Sequence, residues 1–315
     1  MDNVGAGYNE GLYLVWGAAT GRPARERLID DGRHWRHAVP KLPTVVWVGN
    51  AFVFVVIAPL LVAAEWANPE CPMAPAGCSP LRHRRTDWAF AAVQLALVPA
   101  VGLGTALGAS AVVAHGPLHR VVASLPATAT AVFAFLVADL VAYWTHRAEH
   151  RSRYMWRFHS VHHSSRRMDW LAGRRFHPVD VVLQPAVTVA VVAGLGVPLV
   201  DLAPYFFAAW LVTMLAHCNV SLPGRWLARA VVTPGYHRSH HERGREGSNF
   251  ALVLPLMDML FGTACFGAGA RTFGAPYPVP ESGFLALLGW GFGWPNRAQR
   301  VSTSTPVQND TALAT

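Results

Sequence analysis

Long apolar runs are the feature that most restricts the fold of this chain. They lie at about Thr44–Ala64, Trp88–Ala114, Val121–Trp144, Val179–Val200 and Tyr205–Ala216. A helix of about 20 apolar residues can cross a bilayer, because it satisfies its own backbone hydrogen bonds where water is absent. The chain is therefore predicted to be an all-α, multi-span membrane protein with about four or five hydrophobic segments.

Charge is scarce and is placed between the apolar runs. Only 14% of the 315 residues are charged and 52% are hydrophobic, whereas a soluble domain has about 25% charged residues. The net charge of +8 comes from arginines in the loops, a pattern typical of contact with anionic lipid. We expect a membrane partner and no nucleic acid.

Histidines are concentrated in two polar blocks, His146–Asp180 and His217–Asn249. Three short patterns recur there, H-R-A-E-H, H-S-V-H-H and H-R-S-H-H, and one further histidine stands alone in A-H-C-N. These patterns contain His146, His150, His159, His162, His163, His217, His237, His240 and His241.

The spacing of these histidines indicates a metal site. Residues three and four apart share one face of a helix, so each cluster presents its imidazoles in one direction. One octahedral ion cannot use nine ligands, but two ions can, with positions left open. Imidazole suits iron, zinc, copper and nickel, and an open all-imidazole site in a membrane protein favours iron used with O2. We predict two Fe ions, with O2 as co-substrate.

Polar residues near the clusters are candidates for orienting the ligands, since a ligand histidine usually donates its second N–H to a neighbouring group. Asp139 lies two helical turns before His146, and an acid within an apolar run is usually functional. Asp180 and Asn219 lie close to the clusters in sequence, and we expect both to act from behind the ligands.

At these residues the sequence resembles the fatty acid hydroxylase and sterol desaturase superfamily. The resemblance covers about residues 138–263 and includes D-L-V-A-Y-W-T-H-R-A-E-H, W-R-F-H-S-V-H-H-S-S, M-D-W-L-A-G-R-R-F-H-P-V-D, H-C-N-V-S-L-P, T-P-G-Y-H-R-S-H-H and N-F-A-L-V-L-P-L-M-D-M-L-F-G-T. It implies that the eight clustered histidines are metal ligands and His217 a ninth. Some relatives carry one more histidine where this chain has Ser221. The resemblance also places His177 near the site, without assigning it a metal.

The resemblance implies helical spans with a cytosolic histidine-rich cap that holds a di-metal centre. It further implies O2-dependent hydroxylation or desaturation of a sterol, fatty acyl chain, ether lipid or carotenoid. With this region included, the chain divides into an N-terminal basic segment (1–43), membrane segments (44–120), the catalytic region (121–263), an interfacial segment (264–295) and a disordered tail (296–315).

Electrons must come from another protein. The chain has no C-x-x-C pair for an iron–sulfur cluster and no nucleotide-binding glycine motif after a predicted strand. We expect a ferredoxin or cytochrome with its reductase.

For Cys71 and Cys78 the sequence leaves two alternatives, a disulfide bond or two free thiols. The basic blocks predict a cytoplasmic site, and without a visible signal peptide the spans themselves would direct insertion.

Two other functions remain open. H-R-A-E-H from His146 matches a zinc-hydrolase pattern in which Glu149 would be the general base, but that pattern leaves both H-x-x-H-H clusters unexplained. A metal transporter or another metal-binding membrane protein is the non-enzymatic alternative, although transport sites usually lie near the bilayer midplane.

Overall fold

The computed structural model describes residues 53–69, 80–113, 117–222, 226–266, 272–275 and 278–293. The basic segment 1–43, Cys71, Cys78 and the tail 296–315 lie outside the described residues, so the expectations for them remain predictions.

Helices account for nearly all the regular structure of the described ranges. The α-helices are α1 (Ala58–Ala67), α2 (Pro80–Val113), α3 (His119–Ser124), α4 (Ala127–Arg151), α5 (Arg153–His163), α6 (Pro178–Gly194), α7 (Ala203–Ala216), α8 (Leu227–Ala230), α9 (Pro234–His240), α10 (Leu256–Leu260) and α11 (Phe284–Gly291). Val53–Ile57 is π-helical, while Ala172–Arg174 and Leu199–Leu202 are 3-10 turns. One isolated antiparallel bridge, Glu242 with Phe273, is the only β pairing in these ranges. The predicted all-α class is confirmed.

Helix α4 is the one described helix that is long and apolar enough to cross a membrane. Its 25 residues extend about 38 Å, more than the hydrocarbon thickness of about 30 Å. The apolar helices Val55–Ala67, Pro178–Gly194 and Ala203–Ala216 are shorter. The predicted number of four or five spans therefore stays a prediction.

The third apolar run differs from its predicted bounds at both ends. Pro126 separates α3 from α4, because proline lacks an N–H and restricts the residue before it. At the other end the helix continues past Trp144 to Arg151, where Ser152 adopts an extended backbone. His146 and His150 therefore lie on the last turns of this long apolar helix itself.

Helix α4 is the centre of the main core. Its small residues Ala134, Ala138 and Ala142 are buried in one cluster with Val192 of α6 and Tyr205 of α7. Small residues let helix backbones approach closely within a membrane. This packing brings the C-terminal ends of α4 and α7 near each other. His146 and His150 lie in the last turns of α4, and His217 directly follows α7.

Candidate metal centre

Local caps fix the helices that carry the histidines. The Ser152 side chain accepts a hydrogen bond from the Met155 N–H and begins α5. Thr233 does the same for Tyr236 at the start of α9, with Pro234 in the first turn. Ser and Thr at this position satisfy otherwise unpaired N–H groups, and proline is tolerated there.

The structure brings together the nine clustered histidines that the sequence singled out, and it divides them into two groups. In each group, one potential ligand atom per residue lies within 4.8 Å of all the others. The larger group contains His146, His150, His159, His163 and His240, and the smaller contains His162, His217, His237 and His241. We name them the five-histidine group and the four-histidine group. Helix α5 contributes His159 and His163 to the five-histidine group but His162 to the four-histidine group. Helix α9 and the residue that follows it also contribute histidines to both groups, so the two groups lie side by side.

Ring nitrogens face one another at short range in both groups. In the four-histidine group, the His217 Nε2 lies 3.0 Å from that of His162 and 3.1 Å from that of His237. The His237 Nε2 is in turn 3.1 Å from that of His241. In the five-histidine group, the Nε2 atoms of His146 and His159 are 3.1 Å apart.

Backbone carbonyls determine which of these nitrogens carries a proton. The Nδ1–H groups donate to carbonyl oxygens, from His162 to Arg175 at 3.2 Å and from His217 to Thr213 at 2.7 Å. His146 donates in the same way to Phe250. A carbonyl only accepts, so the Nε2 atom of each neutral ring carries a lone pair. The Nε2 atoms of His162 and His217 therefore face each other with two lone pairs and no proton between them.

Burial keeps these rings neutral. It lowers the pKa of His217 to about 4. It also holds the pKa values of His159, His162, His163, His237, His240 and His241 below the ordinary range. Neutral imidazole is the form that binds metal ions.

Several buried nitrogens have no hydrogen-bond partner within the described part of the chain. Among them are the Nε2 atoms of His150, His163 and His240, all in the five-histidine group. A buried polar atom without a partner costs about 1–3 kcal/mol, and this one site contains these three nitrogen atoms. The donor set and its unpaired atoms fit metal ions.

Two carboxylates lie behind one ring of the five-histidine group. The His159 Nδ1 is 3.3 Å from the nearer Glu149 oxygen and 3.8 Å from the nearer Asp180 oxygen. Gln184 donates to that Glu149 oxygen at 2.8 Å. Asp180, which the sequence predicted to orient a ligand, lies beside His159, and Glu149, which the hydrolase alternative treats as a general base, lies nearer to the same nitrogen.

Asp139 contacts the site through one intermediate segment. Its carboxylate accepts the backbone N–H groups of Val253 and Leu254, and the same segment presents the Phe250 carbonyl to His146. Asp258 holds the other end of this segment by accepting from the N–H groups of Phe250 and Ala251 at 2.8 and 2.7 Å. The sequence analysis did not assign a role to Asp258, although this residue lies within a segment that resembles the family.

Arg175 is another residue that the sequence reading missed. Its carbonyl accepts from His162, while its buried guanidinium pairs with Asp87 of α2 at 2.5 Å. The same guanidinium reaches the Ser164 hydroxyl and the Glu281 carbonyl. One residue therefore links a site histidine to α2, to the end of α5 and to the segment before α11.

The other two predicted orienting residues, His177 and Asn219, are held by contacts that involve backbone groups. The His177 Nδ1 accepts from Val179 at the start of α6, and its Nε2–H donates to the Leu288 carbonyl. The Asn219 N–H donates to Glu65 of α1 at 2.9 Å. Glu65 also accepts from the Trp170 N–H, so it fixes two segments beside His217; no sequence motif marked it.

The comparisons with known proteins concern the same region. A family model for fatty acid hydroxylase matches residues 131–263. The ornithine lipid hydroxylase OlsE of Rhizobium tropici is 33% identical over 138 residues, which is 42% of this chain and 40% of that protein. Methylsterol monooxygenase 2-2 of Arabidopsis thaliana is 29% identical over 141 residues, covering 43% of this chain and 52% of the relative.

A third relative is the very-long-chain aldehyde decarbonylase CER1 of Arabidopsis thaliana. It is 29% identical over 144 residues, 40% of this chain and 21% of that protein. The matched region thus spans about half the length of these relatives or less. No solved structure matches. Residues 131–263, which hold both histidine groups, are therefore similar to fatty acid hydroxylases and to relatives in the fatty acid hydroxylase and sterol desaturase superfamily, and the resemblance drawn from the sequence is confirmed.

Proposed function

We propose that this protein is an O2-dependent, non-haem di-iron oxygenase that hydroxylates an unactivated C–H bond of a lipid-like substrate. The observation that carries the proposal is the contact at 3.0 Å between the Nε2 atoms of His162 and His217. Both atoms carry lone pairs, because both Nδ1–H groups are held by carbonyls. Two buried lone pairs repel at this distance unless a cation accepts both.

The nitrogen spacing favours an ion with ligands at right angles. For metal–nitrogen bonds of about 2.1 Å, adjacent octahedral ligands lie roughly 3.0 Å apart and tetrahedral ligands roughly 3.4 Å apart. The four close contacts measure 3.0 or 3.1 Å. This spacing supports iron over tetrahedral structural zinc, and the two groups would hold one ion each.

Iron bound there would supply the activation of O2 for oxidation of a C–H bond. The protein's own residues hold the ligands and exclude water: the nine rings are buried or nearly so, and carbonyls fix the orientation of His146, His162 and His217. Glu149 and Asp180 stand where they can accept the second proton of His159. Exclusion of water protects reactive intermediates from side reactions.

The substrate class follows from the relatives and the membrane helix. The names of the relatives state hydroxylation of an ornithine lipid and monooxygenation of a methylsterol. A domain built on an apolar helix receives such molecules from the bilayer. We propose hydroxylation as the main reaction, with desaturation as its close variant, since the two outcomes differ only in the fate of a second hydrogen.

An electron carrier would dock on the basic face beside the site. Arg151, Arg153 and Arg157 are exposed at the junction of α4 and α5, next to helical turns that carry His150 and His159. A positive surface of this kind attracts an acidic ferredoxin or cytochrome. The same residues support a cytoplasmic location for the histidine groups.

Product analysis tests the function. Purified protein would receive a ferredoxin, its reductase, NADPH, a lipid extract and isotopically labelled O2, and the lipids would be analysed by mass spectrometry. We expect one labelled oxygen atom in a lipid product, dependent on the electron donor. Oxidation without any donor, or hydrolysis products alone, would contradict the proposal.

A further inference from the structure

Arg174 lies beside the four-histidine group. It ends the 3-10 turn Ala172–Arg174, and the middle residue of that turn packs on a site histidine so closely that a Cβ on Gly173 would be 2.8 Å from the His217 Cγ. The Arg174 carbonyl accepts from the Gln94 side chain of α2 at 2.8 Å. The backbone of Arg174 is therefore held next to the site, and its side chain extends from this fixed turn.

The guanidinium groups of the neighbouring buried arginines each have at least one acceptor. Arg167 pairs with Asp169 at 2.7 Å, Arg175 pairs with Asp87 at 2.5 Å, and Arg238 donates to the Met168 carbonyl at 2.9 Å. The covered Nη2 atom of Arg174 differs, since no described residue accepts from it. Among the described ion pairs, none includes Arg174.

The guanidinium remains charged in this position. Burial lowers the pKa of Arg174 only to about 10, so the group is protonated at neutral pH. Its charge contributes to the lowered pKa of His217, which agrees with their proximity. The Arg174 side chain is partly buried, and a covered N–H donor without an acceptor is unfavourable. The donors of a guanidinium match the two oxygens of a carboxylate or phosphate.

We propose that Arg174 binds an anionic group, a carboxylate or a phosphate, of the molecule that enters the site. This inference rests on the proposed function and narrows its substrate class from lipids in general to lipids with an acidic group. The anion would be held by the turn that contacts His217, which fixes the distance along the lipid between its acidic group and the carbon presented to the site.

Matched lipids test this inference. The probes are dioleoyl phosphatidic acid, dioleoylglycerol with the same acyl chains, and inorganic phosphate, each titrated into detergent-purified full-length protein and followed by native mass spectrometry. We expect phosphatidic acid to bind about tenfold more tightly than dioleoylglycerol, a difference of about 1.4 kcal/mol. Arg174→Gln should abolish the preference, Arg174→Lys should keep part of it, and the exposed control Arg120→Gln should leave it intact.

Thermal unfolding of the lipid-free protein separates binding from a structural role. Removal of a charge that lacks a partner should leave the Tm of Arg174→Gln equal to or above that of the wild type. Competition by inorganic phosphate would show that the anion alone suffices, and its failure would show that the anion must be attached to a lipid. Either result retains the anion site. An undiminished preference in Arg174→Gln, or equal binding of both lipids to the wild type, would overturn it.

Metal analysis of the same samples keeps the two proposals apart. A protein without iron that still prefers phosphatidic acid would refute the oxygenase and retain the anion site. A protein with two irons and no preference would do the reverse.

Discussion

The Nε2 atoms of His162 and His217 lie 3.0 Å apart, and each belongs to a ring whose Nδ1–H donates to a backbone carbonyl. The first carbonyl comes from Arg175 and the second from Thr213 of α7. The backbone therefore selects the tautomer that directs both lone pairs at one point. Residues that hold these carbonyls in place become the main targets for mutation.

The buried pair of Arg175 and Asp87 should be strongly coupled. Arg175→Met leaves the Asp87 carboxylate buried without its partner, and we expect the free energy of unfolding to fall by about 3–5 kcal/mol. The double variant with Asp87→Leu should recover much of this loss, because no isolated charge remains. Denaturant titration in detergent measures both effects. Additive losses in the double variant would show that the pair is not coupled.

Glu65 should matter as an acceptor and not as a charge. Glu65→Ala leaves the N–H groups of Trp170 and Asn219 without their acceptor, at about 1–3 kcal/mol each. Glu65→Gln retains an acceptor oxygen and should keep most of the stability. We expect the alanine variant to release metal faster, because both N–H groups belong to segments beside His217. Equal metal retention in the two variants would contradict this role.

The contribution of His217 to the stability of the metal-free protein should be lost in mild acid. Burial lowers the folded-state pKa of His217 from 6.5 to about 4, so the unfolded chain binds more protons between these values. Stability is therefore complete above pH 6.5 and falls as the pH decreases toward 4, by about 3 kcal/mol from this one group. The other lowered histidines act in the same direction, whereas burial raises the pKa of Glu65 to about 7 and that of Asp87 to about 6, which acts in the opposite direction. Tm measured against pH in the wild type and in His217→Phe isolates the contribution of His217. We expect the wild type to lose more stability between pH 7 and 4.5, and an equal pH dependence in the two proteins would contradict this.

Replacement of Glu149 distinguishes the oxygenase from a zinc hydrolase. Glu149→Gln weakens the contact with the His159 Nδ1 but leaves every ring in place. Loss of such an outer partner costs about 10–100-fold in metal affinity or activity, so we expect reduced oxidation with residual turnover. A hydrolase that used Glu149 as its general base would lose its activity completely. Gln184→Leu, which removes only the second contact of Glu149, is the matched control and should have a smaller effect.

The sequence predicted the helical class and the nine histidines because both depend on local spacing. The spacing of His159, His162 and His163 predicts that they lie on one helix. The spacing alone cannot show that neighbouring histidines on that helix belong to different histidine groups. That division depends on how the helices that carry the histidines pack against one another. Asp258, Arg175 and Glu65 escaped notice for the same reason: each acts through backbone groups that are distant in sequence, and no short motif records such contacts.

Helix bounds show a second limit. The apolar run ends at Trp144, whereas α4 continues to Arg151, because hydropathy reports the surrounding solvent and not the backbone conformation. The sequence therefore predicts His146 and His150 in a polar block outside the apolar run, although both belong to the same helix as that run.

Metal analysis combined with Mössbauer spectroscopy tests the central claim most directly. Full-length protein would be expressed in iron-supplemented medium, purified in detergent and compared with His162→Ala and with His119→Ala, a histidine outside both groups. The account predicts two irons per chain in the wild type and in His119→Ala, with spectra of nitrogen-ligated high-spin iron, and a loss of iron in His162→Ala. One tightly bound zinc and no iron, under conditions that exclude mis-metallation, would contradict it.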